Sequence, residues 1–191
     1  MTRRKPSLYY VLSSENPKRM LLGSLKDPSF EDSWLFGRRF GAPPATPVIV
    51  AIKRGYEKAE LLDYFGTPPV ISVRMYETLL KAGVDNLDVY DALLASEDDK
   101  IQYTGFKAFN VIGLVKAADL QKTAFSADNE SRLIDSSIDS LAIDDSKAKG
   151  LLLFRLAEYV GAVVVHESIK RAIEAQNMPY VTFREPGEVI S

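Results

Sequence analysis

The chain opens on an unbroken β-prone run, Leu8 to Leu12, stopped by Ser13-Ser14-Glu15-Asn16-Pro17. A second short strand is predicted at Val48 to Lys53. The pattern then changes period. Met75, Leu79 and Ala82 fall on one face of a helix over Val73 to Ala82, with Ser72 placed to cap it and Gly83 to end it in a left-handed turn. Leu87 to Leu93 returns as a strand. Gly105 to Val115 is the longest β-like run, with Phe109, Val111 and Val115 on one face and Phe106, Ala108, Ile112 and Leu114 on the other. Apolar side chains on both faces predict a central strand. Further strands are expected around Ile138 to Ile143, at Leu151 to Leu156, Val163 to Val165 and Tyr180 to Arg184, with a second helix over Glu167 to Gln176.

Two stretches 94 positions apart read as one kind of unit, strand, capped helix and return strand. Val70-Ile71-Ser72 answers to Val164-Val165-His166, Met75 and Leu79 to Ile169 and Ile173, Gly83 to Asn177, Leu87 to Val181 and Val89 to Phe183. The match is in chemical class, hardly in identity. The order of elements predicts an α+β fold with a mixed, largely antiparallel sheet. Eight of the 10 prolines lie at or before Pro69, so residues 1–69 are expected as a loop-rich part wrapped on a core formed by residues 70–191. At 191 residues, a single domain is expected.

The composition, 46% hydrophobic and 26% charged, is that of an ordinary globular protein. Cysteine is absent, which removes disulfides, thiolate metal sites and cysteine nucleophiles together and fits a reducing compartment. Arg3, Arg4 and Lys5 are followed by Pro6 and tyrosines instead of a signal-like apolar stretch, and no apolar run approaches the roughly 18 residues of a membrane helix. A cytoplasmic protein without membrane contact is expected. The net charge of −2 hides an asymmetry: residues 1–58 carry a balance of +6 and the remainder −8. The two parts can attract each other within the fold, or the acidic side chains Asp128, Glu130, Asp135, Asp139, Asp144 and Asp145 can form a face for a basic partner protein. Nucleic acid is disfavoured, since no dominant basic stripe or aromatic RNA-binding signature is present.

The search for chemistry yields mostly eliminations. His166-Glu167 begins like H-E-x-x-H, but the second ligand position is Lys170 and the chain has one histidine, so zinc is not expected. Ser146-Lys147-Ala148-Lys149 spells S-x-x-K in a polar segment rather than at the start of a buried helix. G-x-S-x-G, P-loop and G-x-G-x-x-G patterns are absent, and no cofactor is expected.

Five positions carry two readings each. His166, where a strand becomes a helix, is either an end-of-strand cap like Ser72 or a catalytic group. Arg155 and Glu158 form either an ion pair at the core edge or, with His166, an acid-base site for a nucleotide or sugar in which Arg155 anchors an anion. Asn110, polar within the long apolar strand, satisfies backbone groups at a bulge or binds a ligand. Trp34, the only tryptophan, plugs the core or serves as a protein-binding hot spot on a proline-flanked loop.

Six short motifs recur in one order along nearly the whole chain: Tyr9-Tyr10-Val11-Leu12; Asp32-Ser33-Trp34-Leu35-Phe36-Gly37; Pro68-Pro69-Val70-Ile71-Ser72 with Leu79-Leu80; Phe109-Asn110-Val111-Ile112-Gly113; Leu153-Phe154-Arg155-Leu156; and Val164-Val165-His166-Glu167-Ser168. In them the chain resembles the bacterial immunity-protein family numbered eleven among polymorphic toxin systems, formerly a domain of unknown function. The resemblance implies a cytoplasmic antidote that binds a toxin encoded by a neighbouring gene, with no catalytic residue set. The rival readings are the small enzyme and a self-assembling module that forms homo-oligomers through exposed edge strands.

Overall fold

In a computed structural model, residues 8–125 and 138–185 are described. Strands β1 (Tyr9–Ser14), β2 (Val48–Ala51), β3 (Tyr64–Phe65) and β4 (Val70–Ser72) lead into helix α1 (Val73–Lys81). There follow β5 (Leu87–Ala95), β6 (Gln102–Val111), β7 (Leu114–Val115), β8 (Ala124–Phe125), β9 (Ile138–Ser140), β10 (Leu153–Leu156) and β11 (Val163–His166), then helix α2 (Glu167–Glu174) and β12 (Val181–Arg184). The fold is α+β, and its sheets are mixed and largely antiparallel: only β2 with β5 and β7 with β10 run parallel among the described ladders.

The strands divide between two five-stranded sheets and a two-stranded ribbon, where one sheet was expected. Sheet one has the order β12-β1-β11-β10-β7, sheet two the order β2-β5-β6-β4-β3, and β8 pairs with β9. The division falls inside the run predicted as one strand over Gly105 to Val115. Gly113 has φ +117°, a conformation that L side chains rarely adopt, and its N–H bonds to Gly37 O at 2.8 Å. The chain thereby leaves sheet two after Val111 and delivers Leu114 and Val115 to the edge of sheet one, beside Arg155 and Leu156. Asn86 holds the seam: its Nδ2 donates to Ile112 O and to Leu153 O, each at 2.9 Å.

In each sheet a helix connects two strands that flank a third. β4 and β5 both lie antiparallel to β6, with α1 between them in sequence, and β11 and β12 both lie antiparallel to β1, with α2 between them. Helix α1 starts where Ser72 Oγ accepts from Met75 N at 3.0 Å and stops at Gly83, φ +92°. Its buried stripe, Met75 and Leu79, packs with Ile169 and Ile173 of α2, Tyr10 and Leu12 of β1, and Phe109 and Val111 of β6 in one central core. Truncating either Met75 or Ile169 to alanine would cost about 2–5 kcal/mol, because both are fully buried.

Two outer layers complete the molecule. Residues 115–151, as far as they are described, cover the other face of sheet one, with Ile138, Leu141 and Ala148 against Tyr9, Val11, Phe154 and Val164. The proline-rich part covers the other face of sheet two, with Met20, Leu22, Trp34 and Leu62 against Val50, Leu94, Phe106 and Ala108. Between residues 8 and 69 its backbone is largely irregular apart from β1, β2 and β3, and β3 lies outside the strands the sequence predicts.

Candidate functional site

His166 ends β11, where φ −70° and ψ 155° make it the N-cap of α2. Its Nδ1 accepts from Ser168 N at 3.2 Å, and Tyr9 packs edge-on against the ring with centroids 5.3 Å apart. The imidazole is thus engaged in local structure. Glu158 lies at the other end of the strand pair. β10 and β11 run antiparallel with Arg155 opposite Val163, and His166 N bonds to Leu152 O, so His166 and Arg155 are separated by three strand residues, about 10 Å. Glu158 lies farther still, past the end of β10. The acid-base trio is not brought together.

Nor do Arg155 and Glu158 pair. Alternation along β10 sends Leu153 to the central core and Phe154 and Leu156 to the outer layer, so Arg155 points inward with Leu153. Glu158 instead meets the outer layer, where the N–H groups of Glu158 and Ala118 favour its ionised form; burial outweighs them and raises its pKa. No ion pair joins the two residues among the described ones, which corrects the expected core-edge pair. Arg155 has no exposed surface, and its Nη1 donates to Val160 O, while Nε and Nη2 have no hydrogen-bond partner. Burial lowers its pKa, opposed by the Tyr64 phenol.

Asn110 is fully buried on the outward face of β6, where Nδ2 donates to Arg38 O at 2.7 Å and Oδ1 has no partner. It pins the Trp34 loop layer to the sheet in regular pairing opposite Asp88; the bulge in this ladder lies elsewhere, between Ala92 and Leu94. Trp34 is core. It is 2% exposed, donates Nε1–H to Lys26 O at 3.0 Å, and meets Phe40 and Tyr90 edge-on at 4.9 and 5.7 Å.

Of the acidic face, Asp128, Glu130 and Asp135 lie outside the described residues. Asp139 is exposed on β9. Asp144 is half-buried and committed to a turn, accepting from Ser146 N at 3.0 Å and Ser146 Oγ at 2.6 Å, with Lys147 Nζ 3.7 Å away. Asp145 is half-buried, near enough to Tyr9 to help raise that phenol's pKa, though burial of the ring is the larger cause.

The most exposed apolar groups lie outside every residue set singled out in the sequence. Phe30 is fully exposed and Ile49 is 60% exposed. Two residues before Phe30, Pro28 joins Trp34, Pro44, Pro47, Val48 and Ile49, with Lys26 and Asp27, around a groove of about 390 Å³. The loop is stiffly held: Asp32 accepts from Ser29 Oγ at 3.1 Å and Gly41 N at 3.0 Å, while Asp27 Oδ1 accepts from Trp34 N at 3.2 Å. An aromatic residue among polar neighbours in a proline-flanked loop is the signal that Pro28-Ser29-Phe30-Glu31 offered.

Among the described residues, no cluster of three or more His, Asp or Glu side chains is arranged to hold a metal, and no helix is long and apolar enough to cross a membrane. The scan against protein-family models gives no match, and neither does the search of curated proteins.

Proposed function

We propose that this α+β chain is an immunity protein, a cytoplasmic antidote that binds a cognate toxin and neutralises it by occupying its surface. The six ordered motifs support the reading, and one structural observation carries it: Phe30, fully exposed on a hydrogen-bonded loop, and Ile49, exposed at the edge of a proline-lined groove. Large apolar side chains held in water on a fixed loop are suited to serve as binding anchors, because the ordering cost is already met within the free protein. The partner is a folded toxin protein presenting an apolar surface to Phe30 and Ile49. Asp139 and Asp145 belong to a different outer layer, against sheet one. Their charge would speed capture of a basic toxin more than it would hold it.

The test is co-expression with the product of the neighbouring gene. A product toxic alone, harmless with this chain and bound to it in stoichiometric amount is the expected result, with protection reduced by Phe30→Ala combined with Ile49→Asp. A neighbouring product that is harmless alone, or one whose toxicity this chain leaves untouched, would overturn the reading.

A further inference from the structure

The geometry points to a second, independent site: the cavity at the seam of the two sheets binds a small oxyanion, a carboxylate or phosphate, through Arg19 and Arg184 in front of the buried guanidinium of Arg155. The cavity measures about 410 Å³, within the range of small-molecule pockets. Its walls are the end of β1, the turn after β3, the turn joining β10 to β11, and Arg184 of β12.

The unpaired cation is the central observation. A buried guanidinium without a counter-charge costs several kcal/mol, and natural proteins rarely leave one so. Arg155 is fully buried with two nitrogens unpartnered, and no carboxylate forms an ion pair with it among the described residues. Its one acceptor, Val160 O, belongs to the peptide stretch between Tyr159 and Gly161, both in the cavity wall. Tyr64, another wall residue, is close enough for its phenol to interact with the Arg155 charge. The guanidinium itself is not part of the lining, but it bonds the peptide between two wall residues, so its charge acts on the cavity through that wall and through Tyr64.

The mouth supplies donors. Arg19 is exposed and takes part in no ion pair among the described residues, and Arg184 meets Glu15 Oε1 at 3.3 Å. Glu15 also lines the cavity, so an entering carboxylate would compete with it for Arg184. Two glycines make room for tyrosine rings. A Cβ on Gly66 would come within 3.2 Å of Tyr64 Oη, and one on Gly161 within 3.3 Å of Tyr159 Cζ. Arginine in front and arginine behind, with phenols at the sides, suit a planar or tetrahedral oxyanion rather than a cation or a neutral sugar.

Inorganic phosphate and glutarate, titrated at constant ionic strength against chloride, test the site by thermal shift and by the NMR signal of Arg155 Nε–H. The expected result is a saturable rise in Tm with one of the two probes, a shift of the Arg155 signal saturating over the same concentrations, and affinity at least tenfold weaker in Arg19→Ala/Arg184→Ala. Gly66→Ala, which narrows the cavity without removing a charge, should also weaken binding. No rise above chloride would overturn the proposal. So would a rise that is unchanged in the double variant, or one that leaves the Arg155 signal in place.

Discussion

Ser72 and His166 do the same work at the starts of the two helices. Each has φ within a degree of −70° and ψ of 155°, and each turns a side-chain acceptor onto a backbone N–H of the first turn, Ser72 Oγ onto Met75 N and His166 Nδ1 onto Ser168 N. Serine is a preferred cap and histidine is not, so the two should respond differently to replacement. His166→Ser is expected to hold or raise stability. Ser72→Ala should cost about 1 kcal/mol or more, since Ser72 Oγ also donates to Asp63 Oδ1 at 2.5 Å. Urea denaturation of the two variants measures both. A loss of several kcal/mol in His166→Ser would mean that the ring's contact with Tyr9, rather than its cap, matters.

Much of this was legible in the sequence because it is local. The capping serine, the Met75/Leu79 stripe and Gly83 are each read within a few residues of one another, and so are the strands at Leu8, Leu87 and Val163. The split into two sheets was not legible. Gly113 looks like any glycine in an apolar run until Gly37 and Asn86, far away in sequence, are seen to hold it. The three-residue spacing of Arg155 and Glu158 suggests a pair because it suits a helix. On a strand that then turns, the same spacing sends them to opposite faces. The seam cavity has no sequence signature at all, since Arg19, Tyr64, Tyr159 and Arg184 come together only where the end of β1, paired with β11 and β12 in one sheet, meets β3 of the other.

Glu158 should oppose folding at neutral pH. Burial raises its folded pKa above that of the unfolded chain, so its favourable contribution is complete below the unfolded value and is lost as pH rises through the folded one. Its Oε2 also lacks a partner. Glu158→Gln is therefore expected to stabilise at pH 7 by about 1 kcal/mol, the low end of the cost of an unsatisfied buried polar atom. The gain over the native chain should shrink on acidification. Paired urea titrations at pH 7 and below pH 4 compare the two, and a gain that is constant across this range would contradict the assignment.

Tyr64 sets an alkaline limit. Its pKa is pushed up to about 12 by burial, with the Arg155 charge pulling the other way. The folded value exceeds the unfolded one, so the stabilisation is complete below about pH 10 and is lost as pH climbs toward 12. Two units correspond to about 2–3 kcal/mol. Tyr64→Phe should remove this limb, so that stability plotted from pH 9 to pH 12 falls less steeply than in the native chain, by that amount. Parallel curves would show that the phenol ionises freely in the fold.

Phe30 and Trp34, four residues apart, separate binding from stability. Trp34→Ala should cost about 3–5 kcal/mol, because it opens a cavity under Phe40 and Tyr90. Phe30→Ala should change stability by no more than about 0.5 kcal/mol, since the ring touches water on all sides. If Phe30 is an anchor, the same substitution weakens toxin binding by about 2 kcal/mol or more, roughly thirtyfold. Denaturation followed by the fluorescence of the single tryptophan, together with a binding titration, reads both quantities for Phe30→Ala; Trp34→Ala removes that fluorophore and is read by circular dichroism.

Arg155→Met decides why a cation sits in the core. If the residue were there for stability, methionine would lose the bond to Val160 O, worth about 1 kcal/mol, and leave that carbonyl unpaired. Against this, an unpartnered buried charge is removed and replaced by an apolar side chain of similar length, a change that elsewhere is neutral or stabilising by about 1–4 kcal/mol. With Nε and Nη2 both unsatisfied, the second effect should win. The variant is expected to melt higher than the native chain in phosphate-free, low-salt buffer and to lose the native chain's further stabilisation by an oxyanion. A higher melting point with that response lost would mark Arg155 as a residue kept at the expense of stability for binding. A lower melting point would mean that the Val160 bond outweighs desolvation and that Arg155 is structural.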